Sequence, residues 1–326
     1  MLSVKIISRA WEGDMTMSLL SPIIRAEELY NRIAGRMGGQ CKQEHAASAV
    51  AIVDCRFWLM EPERGQAAYK EGHLPGAVYF DLDRDLSAPK AEHGGRHPLP
   101  QPHVLAQLLT EAGITHESVV VAYDAQGGAN ASRLWWLLQW LGHEGEVLLL
   151  DGGIQAWEQA GYPLEQAEAG RVLENWSAGV ASSSSGVTSS YTPRVRDHLV
   201  ASMEEVASKL GDSRVRLVDS RESPRYRGEI EPIDPKAGHI PGAVNVFWQQ
   251  SLDEAGRWRP AAEQQARWSS IVGDADEVIV YCGSGVTACP NVLALWQAGY
   301  TNAKLYAGSW SDWISYSGNP VAVGED

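Results

Sequence analysis

The sequence predicts an α/β protein built from two copies of one unit, on three observations. Short β-branched and apolar runs, such as 50–54, 119–123, 147–150 and 278–281, alternate with helical patterns such as 104–112 and 132–141. That alternation is the signature of mostly parallel sheets flanked by helices. Several motifs then recur in the same order. Asp54-Cys55-Arg56 is echoed by Asp219-Ser220-Arg221, and Gly72-His73-Leu74-Pro75-Gly76-Ala77 by Gly238-His239-Ile240-Pro241-Gly242-Ala243. The offsets are 165 residues for Asp54 to Asp219, 166 for His73 to His239, 158 for Asp124 to Cys282 and 156 for Trp157 to Trp313. Drift so small means one duplicated fold with short loop differences. Finally, a Ser-rich tract over 182–190 separates the copies and reads as a flexible linker.

In chain order, residues 1–21 read as a disordered extension. Lys5 and Arg9 hint at targeting, but Glu12 and Asp14 break the pattern and no apolar segment follows. The first unit spans 22–168. It opens with an entry strand and short helix over 22–33, then a polar loop over 35–48 and a strand ending at Asp54-Cys55-Arg56. The Gly72–Ala77 turn motif leads into a short strand, and 93–102, rich in His, Gly and Pro, is a loop. A helix stopping at Gly113, a strand over 119–123 and a buried helix ending before Gly142 follow. A strand closing at Asp151-Gly152-Gly153 and a helix through Trp157 complete the unit. A linker over 169–191 precedes the second unit, 192–326, where the order repeats.

With 326 residues, 44% hydrophobic and 21% charged, the chain is long enough for two cores and has an ordinary globular composition. Thirteen tryptophans imply large aromatic cores or a domain interface. A net charge of −14 opposes a nucleic-acid-binding role, so no nucleic-acid partner is expected. It also means that an anionic substrate needs a local basic pocket. The four cysteines (41, 55, 282 and 289) form no CxxC pair and no zinc set, so the chain is expected to need no metal or cofactor and to work in a reducing cytoplasm. No run is long enough to span a membrane, and no membrane partner is expected.

The stretch Val278-Ile279-Val280-Tyr281-Cys282-Gly283-Ser284-Gly285-Val286-Thr287-Ala288 carries the chemistry. A buried strand runs into a cysteine, a turn with two glycines and a helix start. Backbone N–H groups and the positive helix end favour a thiolate there. A buried packing cysteine is the alternative for such a position taken alone. In parallel sheets, however, chemistry collects where strands end and helices begin. The first copy has Asp124 at the corresponding strand end, so the scaffold does not itself demand a cysteine. Asp124 is expected to receive N–H groups at the start of the next helix. Cys41, Cys55 and Cys289 are expected to be bystanders.

These paired motifs, with Cys282–Ala288, Ser132-Arg133-Leu134-Trp135-Trp136, Asp151-Gly152-Gly153 and Gly308-Ser309-Trp310, resemble those of tandem-domain rhodaneses, especially the 3-mercaptopyruvate sulfurtransferase branch. The resemblance covers nearly all of 22–323. It implies two rhodanese-like α/β domains, an inactive first one packed on a catalytic second one, with the site between them. It further implies that Cys282 takes sulfane sulfur from 3-mercaptopyruvate as a persulfide and passes it to cyanide or a thiol, thioredoxin-like proteins being candidate acceptors. A thiosulfate donor, or a persulfide carrier serving protein partners, is the alternative.

The backbone over Gly283, Ser284, Gly285, Val286 and Thr287 would cradle the persulfide, and the two hydroxyls would add donors or cap the helix. The neutral Gly283-Ser284 step resembles the mercaptopyruvate branch, since thiosulfate-preferring relatives place basic residues there. Arg225, with Arg227 nearby, fits the slot of a carboxylate-gripping arginine. Where that branch often has a second arginine, this chain has Asp234, with Lys236 the nearest substitute. A serine–histidine–acid relay of the family would map to Ser284 and His73, with only Glu61 and Glu63 near for the acid, and His73 reads equally as a turn residue like His239. A phosphatase on this scaffold would need an arginine six positions after the cysteine, where Ala288 stands.

Overall fold

The computed structural model describes residues 21–37, 50–166 and 190–325. The expected extension up to residue 20, Cys41 with the remainder of the polar loop beyond Met37, and the linker over 169–189 lie outside the described residues.

The predicted duplication is visible in two parallel sheets. In the first, strands β1 (Ile23–Ile24), β2 (Val50–Asp54), β3 (Ala77–Tyr79), β4 (Val119–Tyr123) and β5 (Val147–Leu150) lie in the order β1-β5-β4-β2-β3. In the second, β6 (Val215–Asp219), β7 (Val244–Asn245), β8 (Glu277–Tyr281) and β9 (Lys304–Leu305) lie in the order β7-β6-β8-β9. That order repeats β3-β2-β4-β5, and every pairing between these strands is parallel. The place of β1 is taken in the second sheet by a single parallel bridge, Val200 to Leu305. Central strands covered on both faces read as apolar runs, and all five residues of β2 are buried, including Asp54 at its end.

Both repeated turns are closed by the same device. Arg56 binds the carboxylate of Asp54 and the carbonyl of Gly72, while Arg221 binds Asp219 and the carbonyl of Gly238. His73 belongs to this scaffold. Its Nδ1 contacts the Tyr69 carbonyl at 2.8 Å and its ring stacks on Tyr69 at 4.0 Å. His239 does the same with Tyr226, at 2.8 and 3.8 Å.

Helices α6 (Met203–Ser208) and α8 (Ala261–Val272) take the places that the helices over 22–33 and 104–112 hold in the first unit. Two helices have no counterpart in the expected element order: α2 (Glu63–Glu71) and its repeat α7 (Ser223–Tyr226). The reason is narrow burial, since α2 buries only Gly65 and Tyr69 and α7 only Tyr226.

The two halves share one core. Helices α4 (Ala131–Trp140) and α9 (Cys289–Gln297) follow the loops after β4 and β8, and they pack on each other with Trp135 edge-on to Trp296 at 6.2 Å. A single apolar cluster runs from Val53 and Leu134 to Val280 and Leu293, while separate clusters line the outer faces of each sheet. Because α4 and α9 meet, the loops that begin them open into the same interdomain cleft.

Candidate active site

Cys282 follows directly on β8 and is 1% exposed. Its Sγ accepts the N–H of Gly285 at 3.1 Å, so the loop curls its backbone around the sulfur. The curl requires Gly285. It sits at φ +77°, and a Cβ there would fall 2.2 Å from the Ala307 carbonyl oxygen. The short helix α10 (Ser309–Trp313) holds the loop from the other side. Ser309 Oγ accepts the Cys282 N–H at 3.1 Å, and the N–H groups of Trp310 and Ser311 bind the carbonyls of Cys282 and Gly283 at 3.0 and 2.9 Å.

The equivalent loop of the first half shows what such a cradle holds. The buried Asp124 carboxylate accepts N–H groups from Gln126, Gly128, Asn130 and Ala131 at 2.8–2.9 Å. Burial pushes its carboxyl above the ordinary range, and those N–H donors oppose that. The expectation that Asp124 would collect helix-start N–H groups is met.

A strap from the first half completes the site. Gly94 N–H donates to Asp312 Oδ1 at 2.7 Å and Arg96 N–H to Ser311 Oγ at 3.1 Å, which lays residues 93–97 across α10. His97 is thereby placed with Nδ1 2.7 Å from Ser284 Oγ and Nε2 3.1 Å from Asp83 Oδ1. Burial, with the Arg133 and Arg96 guanidiniums adding to it, pulls the His97 pKa down to about 3. A neutral imidazole carries one proton. With Nε2–H on the carboxylate, Nδ1 is left to accept the Ser284 hydroxyl proton. The histidine facing Ser284 is therefore His97, with Asp83 behind it; His73, Glu61 and Glu63 have no part in this chain of contacts. His97 lay inside a segment that reads as plain loop, and only its seat on the opposite domain distinguishes it.

Beneath the loop, fully buried Arg133 donates to the carbonyls of Gly285 and His97, both at 3.1 Å, and so ties the cysteine loop to the strap. Burial lowers the Arg133 pKa. Cys289 lies at the first position of α9, bonded to the Gly285 carbonyl, and burial pushes its thiol up to about 12. The buried Cys55 thiol is likewise raised.

The cleft above the loop has a volume of about 580 Å³ and is lined by Gly283, Ser284, Val286 and Thr287 from the second half and by Arg96 and His97 from the first, among others. Arg225 lines it too. Arg227 does not, because its side chain turns to Glu229 at 2.7 Å on the surface. Gly285 contributes its N–H to the sulfur from inside the turn. A Cβ placed on Gly283 would lie 2.9 Å from Arg96 Nη2 and 3.6 Å from Arg225 Nη2, so two guanidiniums roof the residue after the cysteine.

A pair of duplicated α/β domains, with one thiol accepting a backbone N–H at the loop where they meet, defines a class of sulfur-handling protein. The rhodanese-like domain pattern matches residues 39–160 and 202–316. The chain is 43% identical to a protein of Pseudomonas aeruginosa named probable 3-mercaptopyruvate sulfurtransferase, over 84% of this chain and 92% of that one. It is 30% identical to the mitochondrial thiosulfate/3-mercaptopyruvate sulfurtransferase 1 of Arabidopsis thaliana, over 83% and 73%. Among solved structures, the 3-mercaptopyruvate sulfurtransferase of Leishmania major aligns with a TM-score of 0.64 at 26% identity, covering 82% of this chain and 74% of that one. This chain belongs to the rhodanese-like domain family, in its tandem-domain sulfurtransferase group.

Proposed function

We propose that the enzyme moves sulfane sulfur from 3-mercaptopyruvate to a thiol or cyanide through a persulfide on Cys282. The Cys282 thiolate attacks the donor sulfur, forming an S–S bond while the C–S bond breaks. The bonding pair passes to the donor carbon as an enolate, which takes a proton to become pyruvate. The acceptor then attacks the outer sulfur and the Cys282 thiolate leaves. The N–H of Gly285 and the backbone through Thr287 stabilise the anionic sulfur, as the matching cradle holds the Asp124 carboxylate.

The observation that carries the choice of donor is the 2.7 Å contact between Ser284 and neutral His97. Mercaptopyruvate must lose a thiol proton and gain one on carbon, and a hydroxyl backed by imidazole and Asp83 can move such a proton. Thiosulfate releases sulfite, which needs none. Thiosulfate remains the second reading, because the Arabidopsis relative carries both donors in its name. The described cysteines Cys55, Cys282 and Cys289 are free thiols, which supports work in the cytoplasm, and a thioredoxin-like protein is a suitable dithiol acceptor. The test compares kcat/KM for the two donors side by side and weighs the protein after each. A higher value with mercaptopyruvate and one added sulfur on Cys282 is expected. Preference for thiosulfate would overturn the donor, and absence of steady turnover would reduce the protein to a persulfide carrier.

A further inference from the structure

We propose that Arg96, reaching over from the first half, forms the anion clamp above Gly283 together with Arg225, and that Asp234 is its built-in counter-ion. Asp234 thereby tunes the clamp to a single carboxylate in preference to a dianion. The proposal rests on the sulfurtransferase reading and names what selects the donor.

The carboxylate of Asp234 bridges the two guanidiniums: Oδ1 takes Arg96 Nη1, and Oδ2 lies 3.3 Å from Arg225 Nη2. Its side chain is 3% exposed, so this is an interior ion bridge between domains rather than a surface pair. Arg225 also holds Glu231 at 2.7 Å, and Glu231 reaches Arg221, which is locked on Asp219. Three arginines thus alternate with three carboxylates in one chain of contacts that is formally neutral. Without Asp234 it would carry one net positive charge.

The clamp nevertheless keeps donors free for a ligand. Arg96 Nε is buried and has no hydrogen-bond partner among the described residues. Arg225 spends Nε and Nη2 on carboxylates, while its Nη1 lies 3.8 Å from the Cβ position of Gly283. A planar carboxylate resting over Gly283 can meet both guanidinium edges. A dianion gains more from each added positive charge than a monoanion does, so a neutral network disfavours it relative to a carboxylate. The position that read as a missing second arginine is thus the anchor for an arginine supplied by the other domain.

Isothermal titration calorimetry with pyruvate and with sulfate reads the clamp without turnover. Arg96→Gln is expected to weaken both anions by on the order of tenfold. Arg96→Lys, which keeps the charge, should recover most of the sulfate binding. Asp234→Asn is expected to tighten sulfate by on the order of tenfold and pyruvate by less, and to raise the ratio of thiosulfate to mercaptopyruvate kcat/KM. If Arg96 and Asp234 were only a tie between domains, Arg96→Gln and Asp234→Asn would shift binding in the same direction and lower the melting temperature together; that result, or unchanged anion binding in both, overturns the proposal. Failure of the sulfurtransferase reading would appear separately, as no sulfur on Cys282 of the unaltered protein with either donor.

Discussion

Ser284 and His97 touch at 2.7 Å although they stand 187 positions apart in the chain, and the contact crosses from one domain to the other. If the pair handles a proton, its loss should be felt only where the donor needs one. Ser284→Ala and His97→Gln are each expected to lower kcat for mercaptopyruvate by roughly a hundredfold. Thiosulfate turnover should fall far less. Equal losses with both donors in steady-state assays would mean that the pair merely shapes the cleft.

His97 also predicts how the fold responds to acid. Its pKa is held near 3 in the folded protein against an ordinary value of 6.5, so the unfolded chain binds the proton more readily. Stability from keeping His97 neutral is complete above pH 6.5 and is lost as the pH falls from there toward 3. Urea unfolding at pH 8 and pH 5 should show a drop that is smaller in His97→Gln. The same drop in both proteins would assign the acid sensitivity elsewhere.

Cys282→Ser should abolish sulfur transfer, whereas Cys289→Ser should keep most of it. The two thiols differ in surroundings. Cys282 Sγ receives a backbone N–H at the cleft, while Cys289 is buried below the loop with its pKa at about 12 and stays protonated. Mass spectrometry after incubation with donor should find the added sulfur on the peptide holding Cys282. Comparable loss of turnover from both substitutions would contradict a single nucleophile.

Asp124 should matter for stability through its acceptor oxygens. Asp124→Ala leaves N–H groups of Gln126, Gly128, Asn130 and Ala131 without their acceptor in a buried loop. A loss of about 3 kcal/mol is expected, with a smaller loss for Asp124→Asn, which keeps one carbonyl oxygen. Denaturant titration of the two variants measures the difference, and equal losses would point to charge rather than hydrogen bonding.

Much of this architecture is legible in residue order. The strand runs that become β2, β4, β5 and β8 are continuous apolar segments because parallel strands are buried on both faces. The duplicated Asp-x-Arg and Gly-His-x-Pro-Gly-Ala segments are local turns whose bonds close within each domain. Helix α2 and its repeat Ser223–Tyr226 escape because they bury so little, Gly65 and Tyr69 in the one and Tyr226 in the other. The cysteine loop is legible for a related reason: its cradle is built from neighbouring backbone, so spacing alone encodes it.

The sequence by itself therefore determined the duplicated α/β fold, the cysteine at the end of β8 and its N–H nest, all of them products of short-range chain geometry. The tertiary structure alone decided which histidine faces Ser284 and which arginine stands beside Arg225. His97 and Arg96 come from a loop without periodicity, and they acquire their places only when that loop lies across α10 of the other domain. A contact between distant segments is set by how two cores pack, and packing leaves no regular mark in the order of residues.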